Sequence, residues 1–162
     1  MNRGIPLRSF ALAIATLVLL SACTDDPEPI EPNPSASAGP VKPAMPDGAR
    51  EDSPTGAANF VDYWVSAFNY GAQTGDVEPM LSNATDCEPC KGYARDFERL
   101  APSERAATPV WRLSNISVSA DRDPIKVEAD VEIADEQNPS VLVFVLSDRA
   151  PFELVDLYKS KS

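Results

Sequence analysis

Histidine is absent from this 162-residue chain. Without it no Ser-His-Asp or Cys-His pair can form, and a catalytic zinc would need a shell made only of thiolates or carboxylates. Cysteine is scarce as well, with three residues in all, at positions 23, 87 and 90. Basic residues are outnumbered: 14 Lys and Arg stand against 25 Asp and Glu, for a net charge of −11. No cluster of Lys and Arg is present to displace counterions from a phosphate polymer, which excludes nucleic acid as a partner. Long apolar runs are also missing. The longest, Phe10 to Ala22, has 13 residues, whereas a membrane-spanning helix needs roughly 20.

What that run fits is the apolar core of a secretory signal, about 7 to 15 residues long, behind a basic segment holding Arg3 and Arg8. It closes in Leu20-Ser21-Ala22-Cys23, which resembles a bacterial lipobox: a large apolar residue, two small ones, then the cysteine that receives the lipid. A plain secretory signal with Cys23 there by chance is the simpler alternative. On the lipobox reading residues 1–22 are a signal peptide, and Cys23 becomes the lipidated N-terminus on the outer side of the cell membrane. Two acyl chains, at about 0.8 kcal/mol per buried CH₂, hold a soluble domain on a bilayer where one chain holds it only marginally. Losing residues 1–22 removes Arg3 and Arg8 and no acidic residue, leaving 12 basic against 25 acidic side chains, a net −13. Such a domain is repelled by an anionic surface, so the lipid alone makes the membrane contact.

Residues 23–56 hold eight of the sixteen prolines. They show neither a period of 2 nor one of 3.6 in their apolar residues, and so read as a disordered, partly polyproline tether. Extended at about 3.1 Å per residue, such a tether reaches roughly 100 Å. Residues 57–162 remain for one domain with a single core.

The domain opens with "SPTGAANFVDYWVSAFNYGAQTGD". Ser53 or Thr55 can cap its start, Pro54 suits a first helical turn, and Gly75 suits a left-handed stop. Phe60, Val61, Trp64, Ala67 and Phe68 share one side of the wheel; Asn59, Asp62, Ser66, Asn69 and Gln73 share the other. Tyr63 and Tyr70 fall on the seam. With Trp64 they are the residues that could line a pocket, the alternative being ordinary amphipathic packing with wet hydroxyls. Asp76 can cap a short turn of helix in "DVEPML", and Asp86 a second long helix in "TDCEPCKGYARDFERLA". Its buried face would hold Cys90, Ala94, Phe97 and Ala101, flanked by Tyr93 and Leu100.

From Trp111 the period becomes two. "IKVEADVEI" alternates without a break, with Ile125, Val127, Ala129, Val131 and Ile133 on one face. "VWRLSNISVSA" slips phase, and a bulge near Ser114-Asn115 would keep Trp111, Leu113, Ile116 and Val118 all inward. "VLVFVLS" is apolar throughout, as in a strand covered on both faces, and "PFELVDLYK" makes a fourth strand. Turn residues between them predict an antiparallel meander. The fold class is α+β: N-terminal helices packed on a curved antiparallel sheet of about four strands, behind the signal peptide and tether.

That order resembles the cone-shaped fold of the ketosteroid-isomerase and polyketide-cyclase-like superfamily, a likeness of architecture that implies no particular activity. "FVDYWVSAFNYGAQTGD" followed by "LSNATDCEPC", behind a lipobox and a Pro-rich tether, resembles an actinobacterial lipoprotein family of unknown function. The likeness is weaker across the strands.

Cys87 and Cys90 form the one motif able to do chemistry. As a redox pair, a cysteine on a first helical turn would gain from the backbone N–H groups and the helix dipole, as in the thioredoxin-type C-G-P-C. Such a motif belongs directly after a parallel strand, and Glu88 opposes thiolate formation, so a structural disulfide is the competing reading, with free or partner-linked thiols as a third. With Cys23 acylated only two thiols are left, which excludes a structural zinc site made within one chain. Isomerase-like catalysis inside a cone needs a buried carboxylate of raised pKa. Asp62, Asp96, Asp130 and Asp156 mostly alternate with core residues and so point outward. The sequence thus implies no catalytic residue, cofactor or metal. It describes an extracytoplasmic lipoprotein that binds a small ligand or an envelope protein; a thiol-disulfide oxidoreductase using Cys87 and Cys90, or a small isomerase-like enzyme, is the alternative.

Overall fold

The structure, a computed structural model, describes residues 39–134 and 136–161. Its first long element is helix α1, Pro54–Thr74, started by Ser53, whose Oγ accepts the Gly56 N–H at 3.0 Å. It stops at Gly75, which is left-handed at φ 77° and donates its N–H to the Gly71 carbonyl at 2.7 Å. A side chain there would be strained, and it would also meet the Arg105 guanidinium, 2.6 Å from where a Cβ would stand. The predicted stripe of Phe60, Val61, Trp64, Ala67 and Phe68 is buried, and so are Ala57, Tyr63, Val65 and Ala72. Burial is broader than one stripe because α1 is packed on by several elements, the sheet among them.

Helix α2, Glu78–Leu81, is only four residues long. Asp76 Oδ1 accepts the Glu78 N–H at 3.2 Å, as its position before the turn predicts. So short a helix leaves most of its carbonyls without an internal partner. Two of the carbonyls beside α1 are taken by that helix: the Tyr63 hydroxyl donates to Pro79 at 3.4 Å and the Trp64 indole N–H to Met80 at 3.0 Å.

Helix α3, Glu88–Arg99, differs from expectation at both ends. Its N-cap is Cys87 rather than Asp86: the chain is still extended at Cys87, and its sulfur accepts the Cys90 N–H at 3.2 Å. The helix ends at Arg99, so Ala101, expected on the buried face, lies beyond it and is exposed. Cys90 and Ala94 are buried and Phe97 half-buried, as the wheel predicts.

The sheet is an antiparallel meander in the order β1 (Trp111–Arg122), β2 (Ile125–Ile133), β3 (Ser140–Leu146) and β4 (Leu154–Lys159). Ile125, Val127, Ala129 and Val131 face the core. The bulge in β1 is present, since Ser114 pairs with Asp130 and Ser117 with Glu128, leaving Asn115 and Ile116 opposite Ala129 alone. Asn115 takes φ 49° and donates from Nδ2 to Asp130 Oδ2 at 2.7 Å. Val118 comes back into register with Val127, but Ile116 is 37% exposed. The expectation that all four apolar residues of β1 turn inward therefore fails at Ile116, where the extra residue has no place of its own in the ladder. In β3, Leu142, Phe144 and Leu146 are buried on the core side and Val143 and Val145 are buried too, whereas Val141 is 39% exposed.

Asn69, placed by the wheel on the polar side of α1, fastens that helix to the sheet. Its Oδ1 accepts the N–H groups of Val110 and Trp111, each at 2.9 Å, and its Nδ2 donates to the Trp111 carbonyl at 2.8 Å.

The domain begins earlier than residue 57. Within the stretch assigned to the tether, a 3₁₀ turn at Asp47–Arg50 places Ala49 in the core at 1% exposure, with Met45 packed beside it. Lys42 Nζ lies 2.8 Å from Glu78 Oε2 and 3.5 Å from Asp76 Oδ2. Periodicity misses this segment because it docks through single apolar residues rather than through a repeating face. The expected signal peptide, Cys23 and the first part of the tether lie outside the described residues.

Candidate functional site

Cys87 and Cys90 are joined, with sulfurs 1.95 Å and Cα atoms 5.3 Å apart. The bond closes a small ring at the start of α3 that contains Glu88 and Pro89. Glu88 points out to solvent, where Lys91 Nζ donates to it at 2.7 Å. That hydrogen bond and the lysine's charge hold its carboxyl below the usual range. Both cysteines are 0% exposed, and thiol exchange requires an attacking thiolate to reach one of the sulfurs. In this conformation the bond works as a staple that fixes the first turn of α3, and among the described residues no strand precedes it.

The staple borders a cavity. Because the sheet is a meander, the start of β1, the end of β2, the start of β3 and the end of β4 all lie at one end of it, and α3 crosses above. Pro89 and Tyr93, four residues apart on α3, form one wall of a space of about 300 Å³. Trp111, Leu142 and Leu157, each buried, provide its apolar floor. The Trp111 ring is fixed from two sides: it stacks on Phe68 with centroids 4.0 Å apart and meets the Tyr93 ring edge-on at 5.6 Å. Polar groups are gathered at the mouth, where Glu136 and Lys159 are exposed and Ser140, itself buried, donates from its hydroxyl to Glu136 Oε2 at 3.4 Å. Tyr93 and Tyr158 stand at the rim, 38% and 42% exposed, and burial raises the Tyr93 phenol above its ordinary pKa. A neighbouring trough of about 340 Å³ along β1 and β2, bordered by Arg112, Glu132, Gln137 and Asn138, has no comparable aromatic floor.

The residues singled out from α1 do not meet here. Trp64 is fully buried, Tyr63 is 8% exposed, and both direct their polar atoms at the α2 carbonyls. Tyr70 borders a separate shallow depression with Val41, Ser66 and Gln73. Tyr93 and Trp111, which matter most in the cavity, read in the sequence as a helix flank and a strand start. No spacing rule connects them, since only the folded topology makes them neighbours. Among the described residues no group of three or more His, Cys, Asp or Glu is placed to hold a metal ion.

Residues 35–121 match the Family of unknown function (DUF6318). The chain belongs to this family. The DUF6318 match takes in just over half the chain: the 3₁₀ turn, all three helices and nearly all of β1. It therefore includes the staple and three cavity residues, Pro89, Tyr93 and Trp111, and stops before the strands that supply the rest. No curated protein and no solved structure matches the chain.

Proposed function

We propose that this DUF6318 chain is an extracytoplasmic lipoprotein, held on the outer face of the cell membrane by lipid on Cys23, whose domain acts as a binding module. The anchor is supported by the short apolar run ending in Leu20-Ser21-Ala22-Cys23. Among the described residues, no helix is long and apolar enough to cross a membrane.

The single observation that carries the binding reading is the cavity between α3 and the sheet, which joins an apolar aromatic floor to a few convergent polar groups. Thiol-disulfide exchange is less well supported, because both sulfurs are buried. Isomerase-like chemistry is also less well supported: Asp62, Asp96 and Asp156 are exposed, and half-buried Asp130 is bonded to Asn115. The anchor is tested by growing cells with labelled palmitate and fractionating them. Label on the wild-type protein in the membrane fraction, and none on Cys23→Ser, is the expected result; an unlabelled wild-type protein in the soluble fraction refutes it.

A further inference from the structure

We propose that the cavity takes a small uncharged molecule with an aromatic or alicyclic body and one hydrogen-bond-donating end. The body would lodge on Trp111, Leu142 and Leu157, with the donor directed at Glu136. This deepens, and rests on, the reading of the domain as a binding module.

Size sets the first limit. A space of about 300 Å³ lies at the bottom of the usual range for ligand pockets, roughly 300 to 1,000 Å³, which favours a compact molecule over a polymer segment. The lining sets the second. An apolar floor gains from a body of similar character, and Tyr93, edge-on to Trp111, part-exposed and lining the same space, is placed to cover that body as a wall. Charge sets the third. The mouth carries one carboxylate, Glu136, and one ammonium, Lys159. A cation meets Lys159, while an anion meets Glu136 and the field of a chain with net charge −11. A neutral body avoids both costs. A donor at its end gains a charge-assisted bond to Glu136, whose Oε2 already accepts the Ser140 hydroxyl and so is held towards the cavity side.

The test uses the full chain in lipid nanodiscs, with empty nanodiscs subtracted, and two fluorescent probes sharing one ring skeleton. N-phenyl-1-naphthylamine is neutral and has one N–H donor; 1-anilinonaphthalene-8-sulfonate adds a negative charge. Expected is saturable one-site binding of the neutral probe, weakened at least about tenfold by Tyr93→Ala and about threefold by Glu136→Gln, with the sulfonated probe at least about tenfold weaker on the wild type. Tyr158→Ala, changed at a rim position, repeats the test should Tyr93→Ala not fold. Equal or tighter binding of the sulfonate, still lost in the Tyr93 variant, overturns the ligand class and leaves the binding module standing. No saturable binding of either probe that depends on Tyr93 or Tyr158 overturns both.

Discussion

The two ends of the sheet are built from the same kinds of residue and finished differently. Where β3 ends and β4 begins, Phe60, Phe152, Leu146 and Leu154 are each no more than 1% exposed, with the Phe60 and Phe152 rings 5.9 Å apart. The strand entry is tied down as well, since the Leu154 N–H donates to the Asn83 carbonyl at 2.8 Å. The polar atoms of the nearby aromatics are engaged, those of Tyr63 and Trp64 by α2. At the other end Trp111, Leu142 and Leu157 are just as apolar and are also buried, but a space of about 300 Å³ is left between α3 and the strands, and the Tyr93 and Tyr158 rings remain partly in water. One end is a core, and the other is the same core left unfilled. The lesson is that a site can be made by omission, with no unusual residue to mark it.

Changes at the closed end should cost most. Trp64→Ala removes a fully buried indole and leaves the Met80 carbonyl without its donor, so a loss of about 3–5 kcal/mol is expected in urea unfolding followed by near-UV circular dichroism. A loss under about 1 kcal/mol would show that the core around Trp64 is not packed as described. Asn69→Ala, at the junction of α1 with β1, strips the partner from the Val110 and Trp111 N–H groups. Leaving these part-buried donors unpaired costs about 1 kcal/mol, the low end of the range for buried groups, and the Trp111 indole signal should broaden as its strand start loosens. An unchanged signal would mean that α1 does not position the cavity floor.

At the open end, reducing the Cys87–Cys90 bond releases a ring of about four residues. The chain-entropy relation assigns it about 2 kcal/mol, read as a lower urea midpoint with dithiothreitol than without. Because Pro89 and Tyr93 share that first stretch of α3, probe affinity should fall with it; full affinity after complete reduction would separate the staple from the cavity wall. The smallest effect is alkaline. Burial raises the folded-state pKa of Tyr93 above the unfolded value of about 10. The unfolded chain therefore releases this proton first: the contribution is whole below the unfolded pKa and is lost as pH rises through the folded one. Urea midpoints should decline above about pH 10 in wild type and less so in Tyr93→Phe; equal declines would place the phenol fully in water.

Local rules in the sequence carried most of the fold. The Ser53 cap, the Gly75 stop, the alternation from Ile125 to Ile133 and the phase slip at Asn115 each have a short-range cause, and each appears in the structure. Misses have different causes. Ala49 docks without any pattern around it, Cys87 takes the cap from Asp86 through its own sulfur three residues before Cys90, and Ile116 stays outside because the bulge brings Val118 back inward and leaves the extra residue unpaired. The cavity was the least legible part. Trp111 and Leu157 lie at the two ends of the sheet in sequence, and their alternation shows that they face inward but not that nothing fills the space above them.

The chain has two tryptophans: Trp64 is fully buried and locked to α2, and Trp111, whose ring centroid lies 6.5 Å from that of Trp64, floors the cavity. Titrating N-phenyl-1-naphthylamine into ¹⁵N-labelled protein while following both indole N–H resonances tests the account most directly. It predicts that the Trp111 signal moves and saturates, with a larger shift than that of Trp64, which is fully buried behind it; both signals staying fixed, or Trp64 shifting more than Trp111, would contradict it.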